Sequence, residues 1–493
     1  MTEVASELAA TKRKLPAAPG SGRRLKIVLY NPQAVFFTMP LALLAIGSEL
    51  DPQTHEVVTI DGRLEADAVS AVLSHLDGAV CLGVTVLTGA PLSDALRISR
   101  AAKQARPDLP VVWGGWHPSM FSRECLAEPS VDVTVRAQGE ETFAEIVSRL
   151  AEGRSLEGCA GCTVRLADGT IHENPARPLA QVDKFRAHDY GLIPVERYFE
   201  LKGKRQLDYI SSQGCNFRCA FCSDPFVYGR KWVGLEPVRM AMRLKELWDR
   251  YHFDDVNFQD ETFFTQRERV RTLAERIIES GMKTTWAATM RADQGIRLPD
   301  DVWVRCKQSG LRRLLVGVES GSNEVLKRIR KDIKIEQVYE VAAKMRHHGI
   351  AGHFPFIVGF PDESDASIQA TLDCAKRLRS MSPDFLTPIY YFKPYPGSAL
   401  VIEAVERGFK LPETLEAWAQ FDYVAGEPGP WVSPEKFELI ERFKFFHELA
   451  WKRAGRGKRL LQQLARYRCG RDNYRWPIEM LFSRWLVPAQ KLS

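Results

Sequence analysis

Residues 211–222 read Ser211-Ser212-Gln213-Gly214-Cys215-Asn216-Phe217-Arg218-Cys219-Ala220-Phe221-Cys222, directly after an apolar β-run at 207–211. Thiolates are soft ligands that select iron–sulfur clusters, zinc or copper(I). A four-iron cluster ordinarily takes four cysteines. Three within eight residues, with no fourth nearby, leave one iron open to a substrate or cofactor. A zinc site completed by a distant side chain and a chance grouping are the alternatives. The x3/x2 spacing at the mouth of a strand favours the cluster.

The surrounding chain gives that strand its setting. Between Gln206 and about Pro396, six β-runs (207–211, 254–259, 284–289, 312–318, 353–358 and 385–392) alternate with longer helical stretches. This predicts a partial, TIM-like (β/α)6 barrel over 206–398, with its site at the strand carboxyl ends. Upstream, shorter runs at 26–30, 56–60, 80–86, 110–113 and 131–135 alternate with helices near 40–50, 64–76, 91–105 and 140–151. That pattern predicts a doubly wound parallel sheet of the five-stranded flavodoxin or Rossmann-like type over 25–152. Residues 153–205 read as a linker carrying a hairpin around Asp168-Gly169. Residues 399–493 read as helical and basic, and 1–24 as a disordered tail. The fold class is thus α/β.

The 493 residues, 45% hydrophobic and 26% charged, suit a globular chain with a large core. No stretch approaches the roughly 20 apolar residues of a membrane span, and the N-terminus lacks the apolar core of a secretion signal. A cytoplasmic location is expected. Ten cysteines are too few for a disulfide scaffold. Outside the trio, Cys159-Ala-Gly-Cys162 has no matching Cys/His pair, and Cys81, Cys125, Cys306, Cys374 and Cys469 are isolated and expected to be buried. The net charge of +6 is uneven: from Ala450 onward eleven Lys and Arg stand against Asp472 and Glu479, a local +9. With Trp451, Trp476 and Trp485, this basic tail reads first as a charged helix packed on the barrel. A peripheral membrane contact, suiting a lipid-like substrate, comes second. No nucleic-acid-binding module is recognisable.

Cys215-x3-Cys219-x-Phe221-Cys222 resembles the signature of the radical S-adenosylmethionine (SAM) superfamily, and the resemblance continues in order along the barrel. Phe221 matches the aromatic whose backbone lies near the adenine. Asp260-Glu261-x-Phe263 resembles the acidic motif near the amino end of SAM. Gly317-Val318-Glu319-Ser320-Gly321 matches the strand end where a carboxylate meets the ribose. Ile357-Val358-Gly359-Phe360-Pro361 matches the apolar motif packed on adenine, and Lys393 to Ser398 a loop after the sixth strand. The resemblance implies a [4Fe–4S] cluster on Cys215, Cys219 and Cys222. It implies SAM contacts from Phe221, Asp260, Glu261, Glu319, Ser320, Ile357 and Gly359. An external one-electron reductant then breaks SAM into a 5′-deoxyadenosyl radical.

A βα domain ahead of such a barrel resembles the cobalamin-binding subfamily that includes methyltransferases and the anaerobic Mg-protoporphyrin monomethyl ester cyclase. The matching pieces are Asn31-Pro32, Gly114-Gly115-Trp116-His117-Pro118 and Gly139-Glu140-Glu141. This implies cobalamin contacts from Asn31, Pro32, Thr85, Gly114, Gly115, His117, Gly139 and Glu140. The Asp-x-His-x-x-Gly signature that gives cobalt a histidine elsewhere is absent, and His55 and His117 do not fit it. The implied activity is methyl transfer to an unactivated carbon of a small-molecule or natural-product substrate. Cobalamin-dependent cyclisation or rearrangement is the alternative, and a non-catalytic iron–sulfur carrier or scaffold the second. No second three-cysteine cluster precedes the barrel, which argues against methylthio transfer.

Overall fold

The computed structural model describes residues 24–34, 36–421, 428–451, 459–474 and 479–480. The expected tail, up to residue 23, lies outside them. So do Lys452, Arg453, Arg456, Lys458, Arg475, Trp476, Arg484, Trp485 and Lys491 of the basic C-terminus. The chain divides into two compact units. One comprises Met1–Ala180, Lys184–Tyr198 and Pro412–Phe421, and the other Gln181–Asp183, Phe199–Leu411 and Asp422–Ser493.

In the first unit, β1 (Leu25–Asn31), β2 (His55–Asp61), β3 (Ala79–Thr85), β4 (Val111–Gly114) and β5 (Val133–Val135) form a parallel sheet in the order β2-β1-β3-β4-β5. Residues 79–84 are all buried, which explains their continuous apolar run, because helices cover both faces of such a sheet. The strand order reverses between β1 and β3, and ligands of open α/β sheets bind beyond the carboxyl ends there.

The hairpin expected within the linker is found as β6 (Cys162–Arg165) and β7 (Ile171–Glu173), but it does not stand apart. It pairs antiparallel onto β5, giving a mixed sheet of seven strands instead of five. Cys162, Thr163 and Val164 are buried in that position, with Val164 and both cysteines of the Cys159/Cys162 pair in the hydrophobic core of this unit.

In the second unit, β8 (Gln206–Tyr209) precedes a short antiparallel ribbon of β9 (Ser212–Gly214) and β10 (Trp232–Gly234). The barrel continues as β11 (Asp255–Phe258), β12 (Thr285–Met290), β13 (Leu311–Val316), β14 (Ala351–His353), β15 (Phe356–Val358), β16 (Phe385–Leu386) and β17 (Ile389–Tyr391). Six strands make a parallel sheet in the order β16-β14-β13-β12-β11-β8, while β15 and β17 form a separate parallel pair. The fifth and sixth strands expected from sequence are therefore each broken in two. Pro355 and Pro388 sit at the breaks and have no N–H to give to a ladder. The carbonyl of Pro388 still accepts from Phe356 at 2.9 Å, so the two broken strands stay in step.

Asp255, at the amino end of β11, ties the floor of this barrel together. It is buried and accepts from Arg312 on β13 (2.6 and 2.5 Å), from Thr285 on β12 (2.7 Å) and from Gln206 on β8 (2.5 Å). Replacing Asp255 with Ala strands three donors at once, and is expected to cost roughly 2–4 kcal/mol. Urea unfolding would show this as a lower midpoint, with the three-cysteine loop still able to take up iron.

Candidate functional site

The ribbon of β9 and β10 closes the base of the three-cysteine loop. Gly214 opens it at φ +79°, and an added Cβ would lie 2.3 Å from the Lys231 carbonyl, so only glycine fits where the strands turn apart. The loop is pinned at its middle by Ala220, whose N–H donates to Ile329 (2.8 Å) and whose carbonyl accepts from Leu400 (2.9 Å). Cys215, Cys219 and Cys222 are free and partly exposed, unlike the seven other cysteines, all buried. Burial pushes the Cys215 thiol up to about 11 and the Cys222 thiol up to about 12, so iron would have to displace their protons on binding. Among the described residues no three His, Cys, Asp or Glu side chains gather closely enough for a single metal ion. A cubane does not require that, because each thiolate takes a different iron.

The acidic pair after β11 divides its work. Asp260 is buried and accepts from the Ser211 N–H (3.2 Å), the Ser211 hydroxyl (2.7 Å) and the Ser212 hydroxyl. Expected beside the cofactor, it instead braces the strand that leads into the loop. Glu261 has one carboxylate oxygen buried with no hydrogen-bond partner. Burial first, and then the neighbouring Asp224 carboxyl, push Glu261 well above the usual carboxylate range. A cationic ligand would satisfy it, which is the property the ammonium of SAM supplies.

Glu319 stands at φ +65° after β13 and pairs with Lys331 at 2.7 Å, both side chains buried. Burial alone would lower the Lys331 pKa, but the Glu319 carboxylate raises it above its ordinary value. Gly317 makes room for the pair, since a Cβ there would meet the Glu319 carboxylate at 2.5 Å and the Lys331 amine at 2.9 Å. Ser320 and Gly321 face elsewhere. Ser320 is fully buried against the Thr371 hydroxyl at 3.1 Å, and a Cβ on Gly321 would lie 2.2 Å from the Ala370 carbonyl. They dock the helix Asp365–Met381.

Ile357 is half-buried on β15. Gly359 follows at φ +74°, donating to Glu363 at 2.6 Å and accepting from the Trp431 indole at 2.8 Å. Phe221 lies 6.4 Å from Phe360, and Lys331 reaches to 5.9 Å above its ring.

Two cations at this loop were not legible as site residues. Arg291, buried just past β12, reaches the Cys219 sulfur at 3.5 Å, the Lys331 carbonyl at 2.5 Å and Asp293 at 2.9 Å, and it stacks 3.7 Å from the Phe217 ring centre. Lys331 is the second, and its charge also acts on Cys219. A charge at a strand carboxyl end is a signal that could have found Arg291. Lys331 lies in Arg-Lys-Asp, which reads as a solvated turn.

In the first unit, Asn31 ends β1 and Pro32 follows it, and the backbone of Gln33 is held by Asp94 at 2.8 Å. Thr85, Gly114 and Gly115 come together because Val86 donates to Gly114 (2.7 Å) and His117 donates to Val86 (3.1 Å). Gly115 is at φ +100°, and a Cβ would meet the Val86 carbonyl at 2.9 Å. This glycine-lined carboxyl edge suits the close approach of a flat ligand. His117 lies behind it with no exposure. Thr88 contacts its Nδ1 at 3.0 Å, Nε2 is buried without a partner, and Phe121 and Trp418 pack at 5.0 and 6.1 Å. Burial lowers its pKa to about 4, so it is neutral at pH 7. Gly139 and Glu140 open the helix Glu140–Ala151, with Glu140 buried.

The Glu319–Lys331 pair yields a stability test. Glu319→Ala leaves a buried ammonium alone, at an expected cost of roughly 3–5 kcal/mol. Adding Lys331→Met should recover most of that in thermal or urea unfolding, and a double variant as unstable as the single would show the pair is not coupled.

Residues 209–375 match the radical SAM superfamily model and residues 29–147 the B12 binding domain model. The chain is 30% identical to an uncharacterized methyltransferase of Pyrococcus horikoshii over 393 residues, 78% of this chain and 82% of that one. It is 25% identical to the anaerobic magnesium-protoporphyrin IX monomethyl ester cyclase of Synechocystis sp., over 82% of this chain and 80% of that one. The fold matches that of the radical SAM methyltransferase TsrM of Kitasatospora setae, solved with tryptophan and a SAM analogue. The TM-score is 0.70 at 17% identity, over 84% of this chain and 88% of that one. With a three-cysteine loop on a parallel barrel and a doubly wound B12-type domain before it, the chain belongs to the cobalamin-binding radical SAM enzymes, whose cofactors are a [4Fe–4S] cluster, SAM and cobalamin.

Proposed function

We propose that this enzyme is a methyltransferase that acts on an unactivated carbon of a small molecule. The observation that carries this reading is the 30% identity, over most of both chains, to the uncharacterized methyltransferase of Pyrococcus horikoshii. When bound, the cluster and SAM supply a carbon radical and cobalamin supplies a transferable methyl group.

The chain's own part is to hold and orient. Cys215, Cys219 and Cys222 are assigned to three irons, leaving the fourth for SAM. Glu261 receives the ammonium of SAM on its unpartnered oxygen. Phe221, Ile357 and Gly359 are assigned to the adenine side and Glu319 to the ribose. Arg291 and Lys331 keep positive charge beside Cys219. Asn31, Pro32, Thr85, Gly114 and Gly115 are assigned to cobalamin, with Gly139 and Glu140 beside them. His117 enters this set as packing behind the glycine edge, not as a cobalt ligand.

The electron comes from an external reductant, and the location proposed is the cytoplasm, with no nucleic-acid partner. Among the described residues no helix is long and apolar enough to cross a membrane. On the helix Arg459–Gly470, however, Leu460, Leu464 and Tyr467 share one exposed face amid arginines. That face supports a peripheral contact with a membrane and hence a lipid-like substrate.

Methyl-labelled SAM tests the reaction. Label in the product is expected, and 5′-deoxyadenosine formed without label transfer would move the assignment to a cyclase or rearrangement enzyme. Single Ala variants of Cys215, Cys219 and Cys222 should each abolish SAM cleavage while Cys159→Ala leaves it intact. Retained cleavage in the three would remove the cluster from this loop.

A further inference from the structure

Asp224 stands two residues past the last cysteine of the loop, at the start of the short helix Asp224–Val227. It is 3% exposed, and both of its carboxylate oxygens are buried with no hydrogen-bond partner. A buried carboxyl in that state destabilises a fold unless something pairs with it. Other buried acids of this unit are paired. Asp208 has Lys202, Asp255 has Arg312, Asp293 has Arg291, and Asp260 has Ser211 and Ser212. Asp224 is different, with neither oxygen partnered, and one oxygen each of Glu261 and Glu363 is bare too, although the other oxygen of Glu363 takes the Gly359 and Phe360 N–H groups.

Asp224 and Glu261 share a neighbourhood. The charge of Asp224 acts on Glu261, and it acts on Cys215 and Cys222 as well. The buried cations of the loop serve the other thiol. Arg291 reaches Cys219 and is committed to Asp293, while Lys331 is committed to Glu319. Among the described residues no cation pairs with Asp224, which leaves both of its oxygens open to a cationic ligand.

We propose that Asp224 is a second carboxyl for the ammonium group of SAM, clasping it together with Glu261. The inference rests on the SAM-binding reading of this loop, and it extends that reading to a residue outside the superfamily motif. In physical terms the amino-acid end of the cofactor is a zwitterion. Its ammonium would meet Asp224 and Glu261 on the Cys215/Cys222 side, and its carboxylate the field of Arg291 and Lys331 on the Cys219 side.

The test uses the full chain, reconstituted anaerobically with iron and sulfide, as wild type and as Asp224→Asn. Equilibrium dialysis compares three ligands. SAM carries both the ammonium and the sulfonium, S-adenosylhomocysteine keeps the ammonium without the sulfonium, and 5′-methylthioadenosine has neither. With iron content unchanged, the variant is expected to bind SAM and S-adenosylhomocysteine more weakly by the same factor, roughly 10- to 100-fold. Its affinity for 5′-methylthioadenosine should stay as in wild type.

A loss confined to SAM would assign Asp224 to the sulfonium and overturn the proposal. So would an equal loss for all three ligands, or no loss for any. A second readout separates ligand binding from packing: without ligand, cluster-loaded Asp224→Asn should melt at a higher temperature than wild type, because an unpaired buried carboxyl has been neutralised. A lower melting temperature would make Asp224 a structural residue and overturn the assignment. Asp224→Ser, tested alongside, should reproduce both signs if the asparagine variant folds poorly. Failure of the underlying reading would look different, since cluster-loaded wild type itself would then bind SAM no better than 5′-methylthioadenosine.

Discussion

Everything at the reactive end of this barrel depends on one buried carboxylate that is bonded to the strand leading into the cysteine loop. Asp260 takes three hydrogen bonds from Ser211 and Ser212 and so fixes where β8 stops and the cysteine loop begins. Arg269, also buried, donates to the Ser211 carbonyl at 2.9 Å and to its hydroxyl at 2.6 Å, closing the same corner from the other side. A loop that must present three sulfurs to one inorganic core cannot drift, because ligand geometry is enforced by the groups behind the ligands. Here those groups are an acid, an arginine and two serines, and none of them needs to meet the cofactor.

Charge around the loop is sorted. Arg291 and Lys331 stand by Cys219, whereas Asp224 stands by Cys215 and Cys222 with Glu261 in its own field. Each cation has an anion of its own, so the basic side is a finished structure, whereas the acidic side is left incomplete. Prearranged charge of this kind costs nothing to reorganise when a ligand arrives. The left-handed backbone at Glu319, Arg330 and Asp332 belongs to the same economy of position. Those turns carry the Glu319–Lys331 pair and hold Asp332 against Arg218 at 2.8 Å.

How much of this the sequence disclosed depends on how local each signal is. The cysteine spacing, the strand alternation and the Asp-Gly turn are local, and they led to the barrel, the doubly wound sheet and the hairpin in the right order. What was missed is tertiary. Thr163 and Val164 spell a hairpin, but nothing in them says that it will pair with β5. Pro355 and Pro388 were visible as prolines inside predicted strands and should have broken them there. Asp260 and Glu261 are adjacent acids with opposite fates, decided by which one points at two serines 49 residues upstream or so. Ser320 looked like a ligand residue because of its company and turned out to be spent on Thr371. Lys331 sat in a charged turn, and only its burial against Glu319 reveals it.

The helix Leu415–Ala419 belongs in chain order after the barrel, yet Pro412–Phe421 is part of the first unit. Its Trp418 packs on His117 and Phe121, its carbonyl accepts from Gly89, and Arg100 holds Glu416 at 2.6 Å. Synthesis therefore delivers the last piece of the earliest-made unit only once the barrel has been translated. Until then, the histidine and phenylalanine beside the glycine edge lack their ring partner. A fragment cut before the barrel would be an unfinished object, and the ribosome, which lets leading domains fold first, would here release one that must wait for its final turn.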